Sequence, residues 1–294
     1  MKTRSSPGDP LFRFLDIDAA DVGRYPSAID DMRERRLDGM IVRGVIPPDE
    51  LAAAVERLER RDLPVRRNTF PGFPEDDASP YVVGRTIVAC APDLADYFED
   101  AADLRRCLPA LFPGDPGFEA RLESIFSALG GGRPVSVPAG PDGTATYTPA
   151  TIRVLPEGRE IGVHVGKSFL LLPQARHLAT IVEVAEQLSY FVTLTAPRSG
   201  GELIVYGLEW DDVEAYMPKP GEASGDRVYV SSEAVGFIEA FDKQAFRPGE
   251  GDLLIFDGGR YYHRVAHVGG PRPRRTLGGF LSLSRDHRAV SYWS

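Results

Sequence analysis

Two of the chain's five histidines, His164 and His263, stand where strand-forming residues meet turn residues, in EIGVHVG and FDGGRYYHRVAHV. Each motif alone is weak, because a lone strand histidine is usually a hydrogen-bonded structural residue. The pair gains weight from arginines about ten residues beyond the second histidine, in PRPRRTLGGF. Two imidazoles suit Fe(II), and a guanidinium fork suits a carboxylate held in bidentate fashion. The order His, distal His, then Arg on a final strand is what a jelly-roll non-haem iron site with 2-oxoglutarate as cofactor needs. Where such a site normally has a carboxylate, two residues after the first histidine, this chain has Gly166. Glycine cannot ligate, so one more metal position is left open.

Arg275 is the preferred partner of 2-oxoglutarate and Arg274 the register-shifted alternative, because neighbouring strand residues point to opposite faces and only one of the two can face the metal. Thr151 and Arg153, on the first strand of the same half, are weaker candidates. His267 reads as a supporting or structural residue; His177 and His287 read as surface residues.

The second half of the chain must position these groups. After Gly130, Gly131 and Gly132 it breaks into short β-rich runs separated by turn residues: TYTPATIRVL, EIGVHVG, LSYFVTLTAP, GGELIVYGLEW, DLLIFDGG, HRVAHV and RTLGGFLSLS. One helical interval interrupts them, with Leu178, Ile181, Val182, Ala185 and Leu188 on one face. Many short strands predict a sandwich or jelly-roll barrel. Ahead of the break, DGMIVRGVIPPDELAAAVERLERR reads as strand, turn and helix. Pro47 and Pro48 stop the strand, Asp49 and Glu50 suit a helix N-terminus, and Leu51, Val55 and Leu58 share a face. A further helix carries Phe118, Leu122, Ile125 and Leu129.

The Pro- and Arg-rich stretch LPVRRNTFPGFPEDDASPYVVGR reads as a loop of the kind that often carries substrate contacts. The polar, irregular stretch from Val213 to Phe246 is too long for a hairpin and is a candidate lid. The expectation is a single catalytic domain over 1–294, mainly β with α. It has a double-stranded β-helix core, jelly-roll or cupin-like, over 145–294, and a helical and mixed support layer over 1–132.

The 34 basic and 43 acidic residues leave a formal charge of −9. That sign argues against a nucleic-acid polymer or an anionic membrane as partner, while a local arginine cluster still allows a small anionic substrate. The chain has no apolar run long enough to span a membrane, and MKTRSSPGDP has no signal-peptide core, so a cytoplasmic location is expected. Cys90 and Cys107 form neither a disulfide framework nor a zinc pattern.

From Thr148 onward the chain resembles the Fe(II)/2-oxoglutarate-dependent oxygenases. PEGREIGVHVG stands at their His-X-Asp strand, SGGELIVYG at the strand after it, and PGEGDLLIFDGGRYYHRV around the distal histidine. DGMIVRGVIPPDEL resembles the segment that leads into that family's core. Closer still, HVG, QLSYF, GGRYYHRV, RRTLGGF and the terminal YWS resemble the carrier-free aliphatic halogenases of hapalindole-type indole alkaloids, over nearly the whole chain. The halogenases of deoxyadenosine nucleotides resemble the same group.

The resemblance implies Fe(II), 2-oxoglutarate, chloride and O2 as cofactors, a free small-molecule substrate and no carrier protein. It implies His164 and His263 as metal ligands and Gly166 as the place where chloride reaches the metal. Ser189, in QLSYF, looks like the hydroxyl that biases the reaction toward chloride transfer. Substrate contacts are implied at Tyr81, Val82, Arg85, Ile161 and Phe169. Arg66, Arg67 and Arg85 would suit a phosphate, which favours a nucleotide over an indole alkaloid. Two other readings are a hydroxylase of the same fold and a non-catalytic jelly-roll binding module; retention of both histidines and of the arginine strand weighs against the second.

Overall fold

The computed structural model describes residues 1–3, 9–61, 63–70, 73–212 and 232–294, without the side chains of residues 169–171 and 232–233. The N-terminal part contains β1 (Phe14–Asp18), α1 (Ala28–Arg33), β2 (Gly39–Arg43), α2 (Pro48–Arg60), β3 (Arg67–Thr69), β4 (Tyr81–Val83), α3 (Ala95–Leu111) and α4 (Phe118–Leu129). Then come β5 (Val135–Ser136), β6 (Thr151–Leu155), β7 (Ile161–His164), α5 (Leu178–Ile181), β8 (Leu188–Thr195), β9 (Ser199–Gly200) and β10 (Leu203–Glu209). The chain closes with α6 (Ser232–Ile238), β11 (Lys243–Phe246), β12 (Leu253–Phe256), β13 (Tyr261–Val265), β14 (Val268–Gly269), β15 (Arg274–Leu283) and β16 (Val290–Trp293).

Two sheets form a jelly roll, and β9 and β14 pair with each other apart from them. A ten-stranded sheet runs β1-β2-β12-β8-β15-β6-β4-β3, with β16 along β15 and β5 along β16. A four-stranded sheet runs β11-β10-β13-β7. Inner faces of the two meet where Leu203 and Val205 of β10 join Phe191 of β8 and Phe256 of β12 in one apolar cluster. The outer face of the large sheet is covered by helices: Leu51 and Leu58 of α2 and Leu122, Phe126 and Leu129 of α4 pack with Tyr190, Val192, Leu277 and Leu281. Covered on both faces, β8 is buried at every residue, so its sequence shows no polar alternation.

Three expectations change. The interval from Leu178 to Leu188 is not one amphipathic helix: α5 spans four residues, a short 3-10 turn follows, and Leu188 already pairs with Leu281 in the sheet. Ladder bonds to β15 and packing in the main core outweigh the helical spacing. Of the expected lid, 213–231 lies outside the described residues. The rest is regular, with α6 and then β11 paired to β10. Finally, β1 to β4, from the expected support layer, complete both edges of the large sheet.

No helix among the described residues is long and apolar enough to cross a membrane. Phe126 is fully buried, its ring edge-on to Tyr190 at 5.1 Å and to Tyr292 at 5.7 Å. Phe126→Ala is expected to cost about 3–5 kcal/mol of unfolding free energy by opening a cavity there. A urea midpoint displaced by less than the equivalent of ~1 kcal/mol would contradict this packing account.

Candidate metal centre

His164 ends β7, and His263 lies directly opposite it on antiparallel β13. Their rings stand 4.2 Å apart between centroids, at 56°. A register shift between His263 and Val265 sets three steps of β7 against two of β13. The irregularity matters because it brings Ile161 and His164, which strict alternation would put on opposite faces, to the same cavity.

Each ring is fixed by the same device. His164 Nδ1 is 2.8 Å from the Gly162 carbonyl, and His263 Nδ1 is 2.8 Å from the Tyr261 carbonyl. A carbonyl only accepts, so both Nδ1 atoms carry the proton and both Nε2 atoms present a lone pair. Burial pushes the His164 imidazole down to about 4; burial, then the neighbouring His164, holds His263 well below its ordinary value. Both are therefore neutral at pH 7, the form that binds metal. The Phe256 ring stands edge-on to His263 at 4.9 Å. Among the described residues no group of three or more His, Cys, Asp or Glu side chains could hold a metal. The donor set is thus two imidazoles, which fits an iron that takes its remaining ligands from small molecules.

Gly166 opens a 3-10 turn just beyond His164. Its N–H donates to Gly258 O at 2.7 Å, and its carbonyl accepts from Gln187 Nε2 at 2.6 Å. A Cβ at this position would lie 2.6 Å from that Nε2, 3.0 Å from Gly258 O and 3.1 Å from Gly259 Cα. Close approach, as well as the lack of a ligating group, thus accounts for glycine here. Gln187 is almost fully buried, and its Oε1 has no partner among the described residues. Sequence reasoning missed it, since nothing in QLSYF distinguishes a buried amide that holds the Gly166 carbonyl from a surface one.

The large sheet supplies the opposite wall of a cavity of about 720 Å³. Ser189 and Phe191 reach it from β8, Arg153 from β6, and Arg274, Thr276 and Phe280 from β15. The preference for Arg275 is corrected. Arg274 faces the cavity, with its guanidinium over the Phe191 ring at 5.1 Å and its Nη1 3.3 Å from Thr276 Oγ1. Arg275 faces the helices, where it donates to Glu59 Oε1 at 3.1 Å. Burial, then the positive charge of Arg153, pushes the Arg274 guanidinium down to about 10, so it remains a cation at neutral pH. Thr276 was missed, although it lies two positions from Arg274 on the same strand face. Thr151 is also corrected: its hydroxyl is tied to Ser294 Oγ at 2.6 Å and does not line the cavity.

Tyr81, Val82, Arg85 and Ile161 all line the cavity. Arg67 lays its guanidinium over Tyr81 at 5.1 Å, and Arg85 Nε donates to buried Asp100 at 2.8 Å. The side chain of Phe169 lies outside the described residues. His267 is exposed beside Glu160, and His287 is half-buried. His177, expected at the surface, is half-buried and stacked on Tyr147.

A jelly roll that pairs two neutral histidines across one sheet and a buried arginine across the other has the architecture of the 2-oxoglutarate/Fe(II) oxygenases. The chain is similar to the N-substituted L-amino acid dioxygenase of Burkholderia ambifaria AMMD, with 16% identity over 92% of this chain and 91% of that one and a TM-score of 0.53. The structure of that enzyme in complex with alpha-ketoglutarate matches with the same identity and coverage and a TM-score of 0.52. Likeness at this level carries the fold alone. No curated protein sequence matches significantly. The profile of the carrier-protein-independent halogenase WelO5 family matches residues 11–294, and the chain belongs to that family. It is therefore an enzyme, an oxidoreductase of the Fe(II)/2-oxoglutarate-dependent halogenase class.

The opposite orientations of the two arginines have a direct consequence. Arg274→Gln is expected to weaken 2-oxoglutarate binding to the Fe(II) protein by about 10- to 100-fold, the worth of a charge-assisted bidentate contact. Arg275→Gln should leave it within about twofold, because that side chain points away from the cavity toward Glu59. Titration of the cofactor under nitrogen reads both; equal losses would refute the assignment.

Proposed function

We propose that the protein chlorinates an unactivated aliphatic C–H bond of a free-standing small molecule, favouring a deoxyadenosine nucleotide over an indole alkaloid. The observation that carries this reading is Gly166 standing beside two metal-ready histidines, with backbone and an amide packed where a ligand side chain would begin. When bound, iron with 2-oxoglutarate, O2 and chloride supplies hydrogen abstraction and halogen transfer, with 2-oxoglutarate oxidatively decarboxylated to succinate and CO2.

The chain's own residues do the rest. His164 and His263 hold the metal through Nε2, and Gly166 leaves the third protein position to chloride. Arg274, with Thr276 beside it, takes the distal carboxylate of 2-oxoglutarate. The Ser189 hydroxyl, which has no hydrogen-bond partner among the described residues, is free to donate toward the reacting oxygen and hold it off the substrate radical. Such positioning decides the product, since chloride and hydroxide compete over distances of about an ångström. Tyr81, Val82 and Ile161 offer a flat apolar wall for a heteroaromatic ring. Arg66, Arg67 and Arg85 converge on the same cavity and suit a phosphate, which an indole alkaloid lacks.

The first test is anaerobic: Fe(II) and 2-oxoglutarate should give a visible charge-transfer band that shifts when chloride is added. A band indifferent to chloride would favour the hydroxylase reading, and no band would favour a binding module. Turnover with deoxyadenosine nucleotides and then indole alkaloids follows, read by mass spectrometry. Gly166→Asp should reduce chlorination by more than ~100-fold, about 2.7 kcal/mol in barrier, by placing a carboxylate on the metal and displacing the Gln187 amide. A variant that chlorinates at the normal rate would sink the mechanism. Ser189→Ala should raise the alcohol-to-chloride product ratio by about tenfold, the value of one hydrogen bond; an unchanged ratio would leave Ser189 a structural residue.

A further inference from the structure

We propose that Asp257 and Arg260 are positioning residues of this centre: their buried pair clamps the turn whose carbonyls hold Gly166, and so keeps the chloride position in register with the histidines. The clamp itself belongs to the fold; its effect on chloride rests on the halogenase reading.

The turn from Asp257 to Arg260 carries the chain from β12 in the large sheet to β13 in the small one. Gly258 O accepts from Gly166 N at 2.7 Å, and Gly259 O from Lys167 N at 3.0 Å. The two glycines have no side chains with which to fix these carbonyls, and none could be added. A Cβ on Gly258 would collide with the Ser189 hydroxyl, and one on Gly259 with the Gln187 carbonyl. Glycine backbone also loses the most freedom on ordering. Rigidity has to come from the residues on either side.

Asp257 and Arg260 supply it. The Asp257 carboxylate accepts from the Arg260 backbone N–H at 3.2 Å and pairs with the Arg260 guanidinium. Both side chains are 10% exposed, so water and salt screen the pair little. Each partner is also anchored outside the turn. Asp257 N donates to Asp38 O at 3.0 Å, and Arg260 Nη2 donates to Met32 O at 3.3 Å. The Arg260 guanidinium lies over the Tyr261 ring at 4.9 Å, and the Tyr261 hydroxyl donates to Asp38 Oδ1 at 3.0 Å. Tyr261 O is the carbonyl that fixes the His263 ring. One clamp thus bears on both the Gly166 turn and a metal ligand.

Burial pushes the Asp257 carboxyl up to about 6 against the pull of Arg260, and the Asp38 charge adds to the rise. Asp38 is itself paired with Lys2 and flanked by Arg13, and Glu209, which faces Arg260 from β10, is paired with Arg35. The ion pair is therefore complete above about pH 6 and lost below it, as Asp257 takes up a proton. Both histidines titrate lower and stay neutral through that window. Added protons bring positive charge, which by itself tightens anion binding. A chloride affinity that weakens on acidification is opposite in sign and reports the clamp.

The test has two parts. Hydrogen exchange at the Gly166 and Lys167 amides of the full chain without metal is compared in wild type, Asp257→Asn, Arg260→Met and the double variant. Exchange there should speed by about tenfold or more, and no further in the double variant than in the worse single one, because the two residues act as a unit. Amides of α4, on the outer face of the large sheet, should keep their protection. Chloride is then titrated into the Fe(II)·2-oxoglutarate protein under nitrogen at constant ionic strength, with its Kd read from the charge-transfer band. Wild type should bind chloride about threefold or more weakly at about pH 5.5 than at about pH 7.5, whereas the double variant should be weak and flat across that range.

Unchanged exchange at Gly166 in the double variant would overturn the clamp. So would exchange raised equally in α4, which would make the pair a general stabiliser. A wild-type chloride affinity that holds level or tightens on acidification would overturn the link to halide, as would a double variant that keeps the wild-type pH dependence. Where a single variant fails to fold through its unpaired buried charge, the double variant and the wild-type pH series decide. If the wild-type band ignores chloride at every pH, the halogenase reading fails, and the exchange data judge the clamp separately.

Discussion

The hydrogen bond from the Gly166 amide to the Gly258 carbonyl, 2.7 Å long, ties the turn after the strand of His164 to the turn before the strand of His263. A second bond, from Lys167 N to Gly259 O at 3.0 Å, repeats the tie one residue on. Two histidines almost a hundred residues apart in sequence thus share one short stretch of paired backbone. Their separation is set by a β-ladder and two flanking turns, which are far stiffer than side-chain torsions. The crowding around Gly166 is the other side of this constraint. Backbones that approach closely enough to form those bonds crowd the space a Cβ would take, with the Gln187 amide nearest of all, so the geometry that fixes the histidines also favours glycine at the position between them.

Electrostatics then follow from burial. Imidazoles sunk between two sheets lose hydration, which disfavours their charged forms and keeps them available as ligands. The same burial makes the Arg274 guanidinium costly in isolation and gives an anion that joins it a larger return than it would find at the surface. An apolar floor formed by Phe191, Phe256 and Phe280 keeps the local dielectric low. Arg274 and Arg153 lie over two of those rings, Phe191 and Phe280, which partly compensates their desolvation. The neutrality of the histidines and the positive sign of the far wall are thus one arrangement seen from two sheets.

How much of this could be read from sequence depended on whether the signal was local. His164, His263 and the arginine pair were legible because their order along the chain mirrors the order of strands in a jelly roll. Helices α2 and α4 were legible because Leu51, Val55 and Leu58, or Phe118, Leu122 and Leu129, repeat at helical spacing. The choice between Arg274 and Arg275 was not, because strand parity has to be counted from a reference that only pairing with β6 and β8 supplies. The β7 irregularity that turns Ile161 toward the cavity depends on β13, and the role of Gln187 depends on a turn far away in sequence. The interval from Leu178 to Leu188 misled because helical spacing over a few residues also fits short turns running into a buried strand.

Selectivity between two groups on one metal demands that any directing hydroxyl be held more rigidly than the difference it must resolve. In the role proposed for it, Ser189 would meet this demand through its place in the sheet. It pairs with Phe256 of β12 on one side and Phe280 of β15 on the other, so its backbone is fixed from both edges. Its side chain is confined in turn, because a Cβ on Gly258 would collide with the Ser189 hydroxyl. The glycine that lets backbone close on Ser189 is the one whose carbonyl holds Gly166. One turn thus sets both the close approach at Gly166 and the room left to the Ser189 hydroxyl. A loop-borne hydroxyl would have no such coupling, and thermal motion of its loop, commonly half an ångström or more, would blur the distinction it is placed to make.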